Sequence, residues 1–387
     1  MSSYQVIARK YRPQRFADVV GQEHVTQTLG NAIASGRIAH AYLFAGPRGT
    51  GKTTIARIFA KCLNATDGPK VDFQDDDERC VEITEGRSLD VLEIDGASNR
   101  GIDEIRELRD TVNYQPAAAR FKVYIIDEVH MLTQQAFNAL LKTLEEPPAH
   151  VKFMFATTEP EAVLPTILSR CQRFDLRRIP AALIVEHLAK IAKQEKVKVD
   201  EAALHAIARG ADGGMRDAES TLDQLISFCG ENITEADVLS MFGLSSQVQV
   251  VSLANAVLKA EPEAALTELH SLTTSGKELG RLIGDLLSHF RNLMVYQLGQ
   301  GDLSLLEISE AEKTALAEQA KLADAAAVSR ILEVLADCEY QLRNAASKKI
   351  LVEVSLIKAI HAAGAMELNA VIDQLQQLRT DDTPAPA

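Results

Sequence analysis

The sequence has no tryptophan, and aromatic residues make up only 5% of its 387 residues. Its second half relies on Ala and Leu instead, a composition that favours helix. Cysteine is scarce too. The five present are an odd number without tight spacing, which argues against a disulfide framework. No apolar run reaches the roughly 18 residues of a membrane span. The stretch Met1 to Lys10 lacks the apolar core of a signal peptide. A soluble, cytoplasmic protein without membrane contact is therefore expected. Positive charge is in deficit: a net charge of −13 argues against general coating of nucleic acid, though a local basic surface stays open. What remains is a globular composition, 46% hydrophobic and 25% charged, in a chain long enough for two or three domains.

The most informative stretch is Gly46-Pro47-Arg48-Gly49-Thr50-Gly51-Lys52-Thr53, which fits G-x-x-x-x-G-K-[ST] at every fixed position. Glycines let backbone N–H groups curl around phosphate oxygens, Lys52 can reach the β- and γ-phosphates, and the Thr53 hydroxyl can ligate Mg²⁺. The context agrees. Ala41 to Ala45 reads as a buried strand, and Thr54 to Ala60 carries helical spacing, which places the phosphates at a helix N-terminus. About 75 residues after Lys52, Val123-Tyr124-Ile125-Ile126-Asp127-Glu128 is an apolar strand ending in two acids. Asp127 suits Mg²⁺ held through water, and Glu128 suits a base for the attacking water. Phe153 to Ala156 is another strand, ending in Thr157 and Thr158 where a hydroxyl can sense the γ-phosphate. Arg170, near a helix end, is either a finger for a neighbouring subunit's nucleotide or a surface residue. Arg216, after Gly213-Gly214, is either a reporter of the same subunit's phosphates or an ordinary helix residue.

Strand candidates at 41–45, 89–94, 121–126 and 151–156 alternate with helical stretches, which implies a parallel sheet covered on both faces. Residues 65–79 hold Gly68-Pro69 and an acidic run, Asp75 to Glu78, and read as an exposed loop or excursion. From Pro180 onward only helices are expected. The last strong one runs from Lys349 to Ala363 through Ile350, Val354, Ile357 and Ile360, and Thr380 to Ala387 reads as a disordered tail. Ser98-Asn99-Arg100-Gly101 reads as a helix start capped by Ser98, where exposed N–H groups and Arg100 would attract a phosphate; the alternative is an ordinary capped helix.

The chain resembles the bacterial DNA polymerase III tau/gamma clamp-loader subunits, which are AAA+ ATPases. The resemblance rests on Ala8-Arg9-Lys10-Tyr11-Arg12-Pro13, Phe16-Ala17-Asp18-Val19-Val20-Gly21-Gln22, the phosphate loop and Glu93-Ile94-Asp95-Gly96-Ala97-Ser98. It also rests on Ile126-Asp127-Glu128-Val129-His130-Met131-Leu132, Leu140 to Pro148 with its Leu-Glu-Glu-Pro-Pro ending, and Ser169-Arg170-Cys171. It is dense over residues 4–220 and weaker to about 365. It implies an AAA+ α/β ATPase domain at 1–179, a helical lid at 180–243, a helical oligomerisation collar at 244–365 and a tail at 366–387. It implies ATP and Mg²⁺ as cofactors. Gly46, Gly49, Thr50, Gly51, Lys52, Thr53 and Thr54 would hold phosphates, and Thr53 and Asp127 the metal. Tyr11, Arg12, Pro13, Val19 and Val20 would surround the adenine. Thr158 matches the first sensor, Arg170 the trans-acting finger and Arg216 the second sensor. Implied partners are delta and delta prime subunits in a pentameric ring, a sliding clamp, and primer–template DNA contacted near Ser98 and Arg100 without sequence reading.

Two departures from the family pattern stand out. Four zinc-binding cysteines are usual before the second strand; here the aligned positions are Ala65, Gln74, Asp77 and Cys80, which cannot make a closed Cys₄ site. No structural zinc is expected, and none of the nine histidines pairs at ligand spacing, so Mg²⁺ is the one catalytic metal implied. The sequence runs only just past the third segment, so the resemblance is to the short, gamma-like form, and a longer product stays open. Two rivals remain: an ATPase-inactive subunit resembling delta prime, against which the intact loop and acids weigh, and a different AAA+ DNA motor.

Overall fold

Every residue of the run Ala41-Tyr42-Leu43-Phe44-Ala45 is buried, and a strand apolar on both faces needs cover on both sides. The computed structural model describes residues 4–99, 101–242, 247–275, 277–299, 310–342 and 344–364. Two compact units make up the chain, Met1–Val238 and Leu239–Ala387. In order, the first unit runs α1 (Ile7–Lys10), α2 (Glu23–Ala34), β1 (Ala41–Ala45), α3 (Lys52–Asn64), α4 (Glu78–Glu85), β2 (Val91–Asp95), α5 (Ile102–Val112), β3 (Lys122–Asp127), α6 (Gln134–Glu145), β4 (Val151–Thr157), α7 (Pro165–Leu168) and β5 (Gln172–Asp175). A helical segment follows: α8 (Ala181–Glu195), β6 (Lys198–Val199), α9 (Glu201–Gly210), α10 (Met215–Cys229) and β7 (Asn232–Ile233). Helix α11 (Glu235–Phe242) crosses the division between the units.

The five long strands form one parallel sheet in the order β2-β3-β4-β1-β5. Side chains alternate across it as strand geometry requires. Tyr42, Phe44, Val123 and Ile125 pack against Ile55, Phe59 and Leu63 of α3. Leu43, Tyr124, Ile126 and Phe155 pack on the other face against Leu108 of α5 and Phe137 and Leu140 of α6. Each such side chain, fully buried, contributes about 1.5–3 kcal/mol. Register then decides where chemistry collects. Ala45 pairs with Thr157 and with Asp175, and Asp95 pairs with Asp127, so the strands end level at their carboxyl edge. That edge is where parallel sheets bind ligands.

Four expectations need correction. A fifth strand, β5, joins the sheet; only Phe174 of its four residues is buried, so no apolar run announces it. The segment expected to be an exposed loop or excursion at 65–79 contributes to a small core: its Ala65 and Phe73 are buried with Cys62 and, just beyond it, Cys80. Asp77 caps α4 by accepting from Arg79 N and Cys80 N, and it also accepts from Thr66 N at 2.9 Å. An apolar plug and a cap thus organise the segment whose aligned positions lack the family's cysteines. Among the described residues no group of three or more His, Cys, Asp or Glu is arranged to hold a metal ion. Third, the segment after Pro180 is not purely helical, since β6 and β7 pair in parallel over two residues each.

The fourth correction lies in the second unit. It consists of α12 (Gln247–Leu258), α13 (Pro262–Thr274), α14 (Leu279–Leu298), α15 (Glu310–Gln319), α16 (Ala325–Leu342) and α17 (Lys348–Ala363) around one aliphatic core. The face of α17 that packs inward carries Val352, Ser355, Leu356, Ala359 and Ile360. Of the four residues expected there only Ile360 is buried, while Ile350 and Val354 are exposed. Helix α17 is apolar around most of its circumference, so spacing alone offered two stripes and packing chose the other. The tail from residue 366 lies outside the described residues.

Candidate nucleotide site

Strand β1 ends at the carboxyl edge of the sheet, and the chain must turn sharply into α3. Gly46 makes the first move at φ 152°, where an added Cβ would lie 2.5 Å from the carbonyl oxygen of Leu176. Gly49, at φ 77°, is also closely approached: a Cβ there would stand 2.9 Å from Asp217 Oδ2 and 3.0 Å from Gly214 Cα. Gly51 is the left-handed N-cap of α3, so the first N–H groups of that helix open onto the loop. Lys52 is buried, and its ammonium donates to Gly46 O at 2.9 Å and Pro47 O at 2.8 Å. Burial lowers its pKa, and Glu128 and Asp127 partly restore it.

The hydroxyl of Thr53 donates to Asp127 Oδ2 at 2.8 Å, joining the two nucleotide motifs across the gap between α3 and β3. Hydroxyl and carboxylate oxygens are the hard donors Mg²⁺ prefers, so this pair fits the metal the motifs imply. Glu128 follows at φ 46°, a left-handed conformation that costs a non-glycine residue of order 1 kcal/mol and turns the side chain along the sheet edge. Its Oε2 accepts from Thr158 Oγ1 at 3.0 Å and from Thr158 N at 3.3 Å. His130 Nδ1 lies 3.3 Å from the same oxygen and 2.9 Å from the buried Thr157 Oγ1. Thr158 is thus fastened to Glu128 instead of lining the cavity.

A cavity of about 380 Å³ opens over this edge. Arg12, Pro13, Val19, Val20, Arg216 and the loop from Gly49 to Thr54 line it, as do Asp127 and Glu128. Tyr11 does not. Its hydroxyl donates to Glu195 Oε1 at 2.6 Å, and burial followed by that bond pushes the phenol up to about 12. Tyr11 therefore ties the N-terminal segment to α8, while its neighbours Arg12 and Pro13 line the cavity. Arg216 enters from α10, whose first turn rests on the loop through Arg216 N to Gly49 O at 3.3 Å.

Arg170 lies away from the cavity. Its guanidinium donates to Thr166 O and to Glu145 Oε1, both at 2.7 Å. Glu145 belongs to the Leu144-Glu145-Glu146-Pro147-Pro148 element, so two motifs distant in sequence meet here. The helix expected to start at Ser98 starts at Ile102, with Gly101 as N-cap and no side-chain cap bond. The Ser98 hydroxyl instead donates to Asp95 Oδ2 at 2.7 Å. Arg100 lies outside the described residues. Four groups escaped sequence reasoning. Asp95 lines the cavity from the end of β2, and His130 holds Glu128. His187 and Glu219 enter the cavity from α8 and α10. Asp95 was findable as an acid closing a strand at the carboxyl edge; the other three had no local signal.

A parallel sheet with β1 between β4 and β5, a phosphate loop, two acids on the adjoining strand end and a helical lid define a P-loop ATPase of the AAA+ class. Family comparisons agree along the chain. Residues 21–180 match the DNA polymerase III delta subunit family, 183–231 the clamp-loader subunit ATPase lid domain, and 233–375 domain III of subunits gamma and tau. The DNA polymerase III subunit tau of Bacillus subtilis is 44% identical over 384 residues, 98% of this chain and 68% of that protein. Subunit gamma of Buchnera aphidicola is 39% identical over 93% of this chain and 99% of its own length. Subunit tau of Escherichia coli is 40% identical, but the chain spans only 55% of it. This chain belongs to the tau/gamma family of DNA polymerase III, the ATPase subunits of the clamp loader.

Proposed function

We propose that the chain binds ATP with Mg²⁺ in this cavity, hydrolyses it, and uses the cycle to open a sliding clamp and load it onto primer–template DNA. The observation that carries this reading is the 2.8 Å contact between Thr53 and Asp127, with Glu128 next in sequence and facing the same cavity. When bound, Mg²⁺ would neutralise phosphate charge, and Thr53 Oγ1 and the Asp127 carboxylate would hold it. Lys52 then exchanges its loop carbonyls for phosphate oxygens. Glu128 takes a proton from water as the water oxygen bonds to the γ-phosphorus and the bond to the ADP oxygen breaks. Before that, Glu128 must leave Thr158 and His130, so these two residues hold the base away from water until the site is assembled. Arg216 meets the phosphates of its own subunit.

Arg170 completes the neighbouring subunit's site, and its contact to Glu145 sets the direction of approach. The fitting partners are delta and delta prime subunits in a pentameric ring, working in the cytoplasm. Ser98 and Arg100 face DNA phosphates without reading bases. Among the described residues no helix is long and apolar enough to cross a membrane. The test is ATP hydrolysis by the reconstituted assembly with and without clamp and primed DNA. Clamp and primed DNA together should raise the rate, and Lys52→Ala and Arg170→Ala should each abolish the rise. A rate indifferent to the clamp would remove the clamp and DNA from this reading.

A further inference from the structure

The cavity has a second end, built by the lid. Helix α10 starts on the phosphate loop, and Glu219 lies one turn beyond Met215 on the same helix face, roughly 6 Å further along the axis. The walls that adjoin there are apolar. Gly21 packs on Ile179, with Ile179 Cγ2 3.2 Å from an added Cβ, and Ile179 N donates to Gly213 O at 3.0 Å just before α10 begins. Val19, Val20, Ile179 and Met215 all line the cavity. Into these surroundings come two polar side chains of the lid, His187 and Glu219.

Glu219 is only 4% exposed, an unusual position for a carboxylate. Its Oε1 lies 3.0 Å from His187 Nε2. Because a carboxylate accepts, Nε2 carries the hydrogen of this contact. One imidazole hydrogen uses only a fraction of a carboxylate's acceptor capacity. Glu219 therefore still offers an acceptor to whatever occupies the apolar end. Adenine presents an N6 amine donor on the edge where guanine presents the O6 carbonyl. A carbonyl set against this carboxylate would repel it and leave both groups unpaired.

We infer that Glu219, aimed by His187, is the group that selects adenine over guanine in this site. Glu219 is the specificity-determining residue and His187 a positioning residue. The inference rests on the nucleotide-binding reading above and adds to it a polar contact to the edge of the base.

Calorimetric titration of the full chain with ATP and with GTP tests it. The wild-type chain should prefer ATP by on the order of 100-fold. Glu219→Gln, whose amide can donate to a carbonyl, should narrow that to under about tenfold, chiefly by gaining GTP affinity. His187→Leu should also narrow it, whereas His187→Gln, which can still donate to Glu219, should keep most of it. These ratios are the readout, because a purely structural pair would weaken both nucleotides together. Should Glu219→Gln fail to fold, the two His187 variants decide the question. An unchanged ratio in variants that still bind both nucleotides overturns the inference and leaves the ATPase reading standing. A wild-type chain that binds neither overturns the ATPase reading itself.

Discussion

The two units use polar groups to opposite ends. In the first, Lys52, Asp127, Glu128 and Thr53 meet at the carboxyl edge of a sheet and face an open cavity, and one of them occupies a left-handed conformation. In the second, His289 Nε2 meets Gln319 Oε1 at 2.5 Å, and Gln319 Nε2 donates to Val251 O and Asn255 Oδ1, all inside a helical core. The second network ties helices α12, α14 and α15 together and is satisfied internally. The first is satisfied only provisionally, because Lys52 rests on loop carbonyls and Glu128 on Thr158, partners each can exchange. Buried polarity alone therefore does not mark a site. Polarity that opens onto a cavity and is held by exchangeable partners does.

Substitutions can break that contrast, and the largest effect belongs to the site. Glu128→Gln should lower the stimulated hydrolysis rate by roughly 10²–10⁴-fold while ATP still binds, measured by turnover and by calorimetry. Next comes the helical core: Phe290→Ala should remove about 3–5 kcal/mol from the second unit, seen as a lowered denaturation midpoint, with nucleotide affinity of the first unit unmoved.

Asp90 offers an intermediate case, a polar group in the first unit that does not line the cavity. It is buried, and its carboxylate accepts from Ala117 N, Ala118 N and Ala119 N at 2.7–2.8 Å. Burial would raise its pKa, but the three N–H groups overcome this and hold it below the usual carboxylate value. Its ionised form is thus favoured by folding. The stability it confers is present above the unfolded value of about 4 and is lost as pH falls through the lower folded value. Asp90→Ala should cost about 3 kcal/mol at neutral pH and flatten the acid limb of a stability–pH curve, with ATP affinity little changed.

A smaller effect is expected at the latch. Thr158→Val removes the hydroxyl from Glu128 and should change the hydrolysis rate about tenfold, with the unstimulated rate rising relative to the clamp-stimulated one. An equal fall in both rates would assign Thr158 to the phosphates instead. The smallest effect belongs to Ile350→Asp. Although Ile350 is an apolar residue on a strongly apolar helix, it is 60% exposed, and the variant should lose no more than about 0.5 kcal/mol as an isolated chain.

How much was legible follows the same division. The loop from Gly46 to Thr53 was legible because each residue acts through its own backbone or its own head group, and the spacing carries the geometry. Strands β1, β3 and β4 were legible because burial on both faces demands continuous apolar runs. Strand β5 was not, since an edge strand needs only one inward side chain, here Phe174. The position of Tyr11 was not legible, because its sequence neighbours line the cavity while its hydroxyl has a partner 184 residues away, Glu195. The inward face of α17 was misread because its apolar residues cover more than one stripe.

The sequence by itself determined that there is a phosphate loop, that two acids close an adjoining strand, and that helix takes over after Pro180. These are local properties, written in φ preferences, side-chain periodicity and fixed spacings of a few residues. Only the tertiary structure decided that Glu128 is latched by Thr158 and His130, that Arg170 is held by Glu145, and that His187 and Glu219 meet in the cavity wall. Each of those contacts depends on strand register or helix packing, which bring together side chains between 2 and 32 residues apart. The free energy that sets register is spread over the whole apolar core, and no single stretch of sequence contains it.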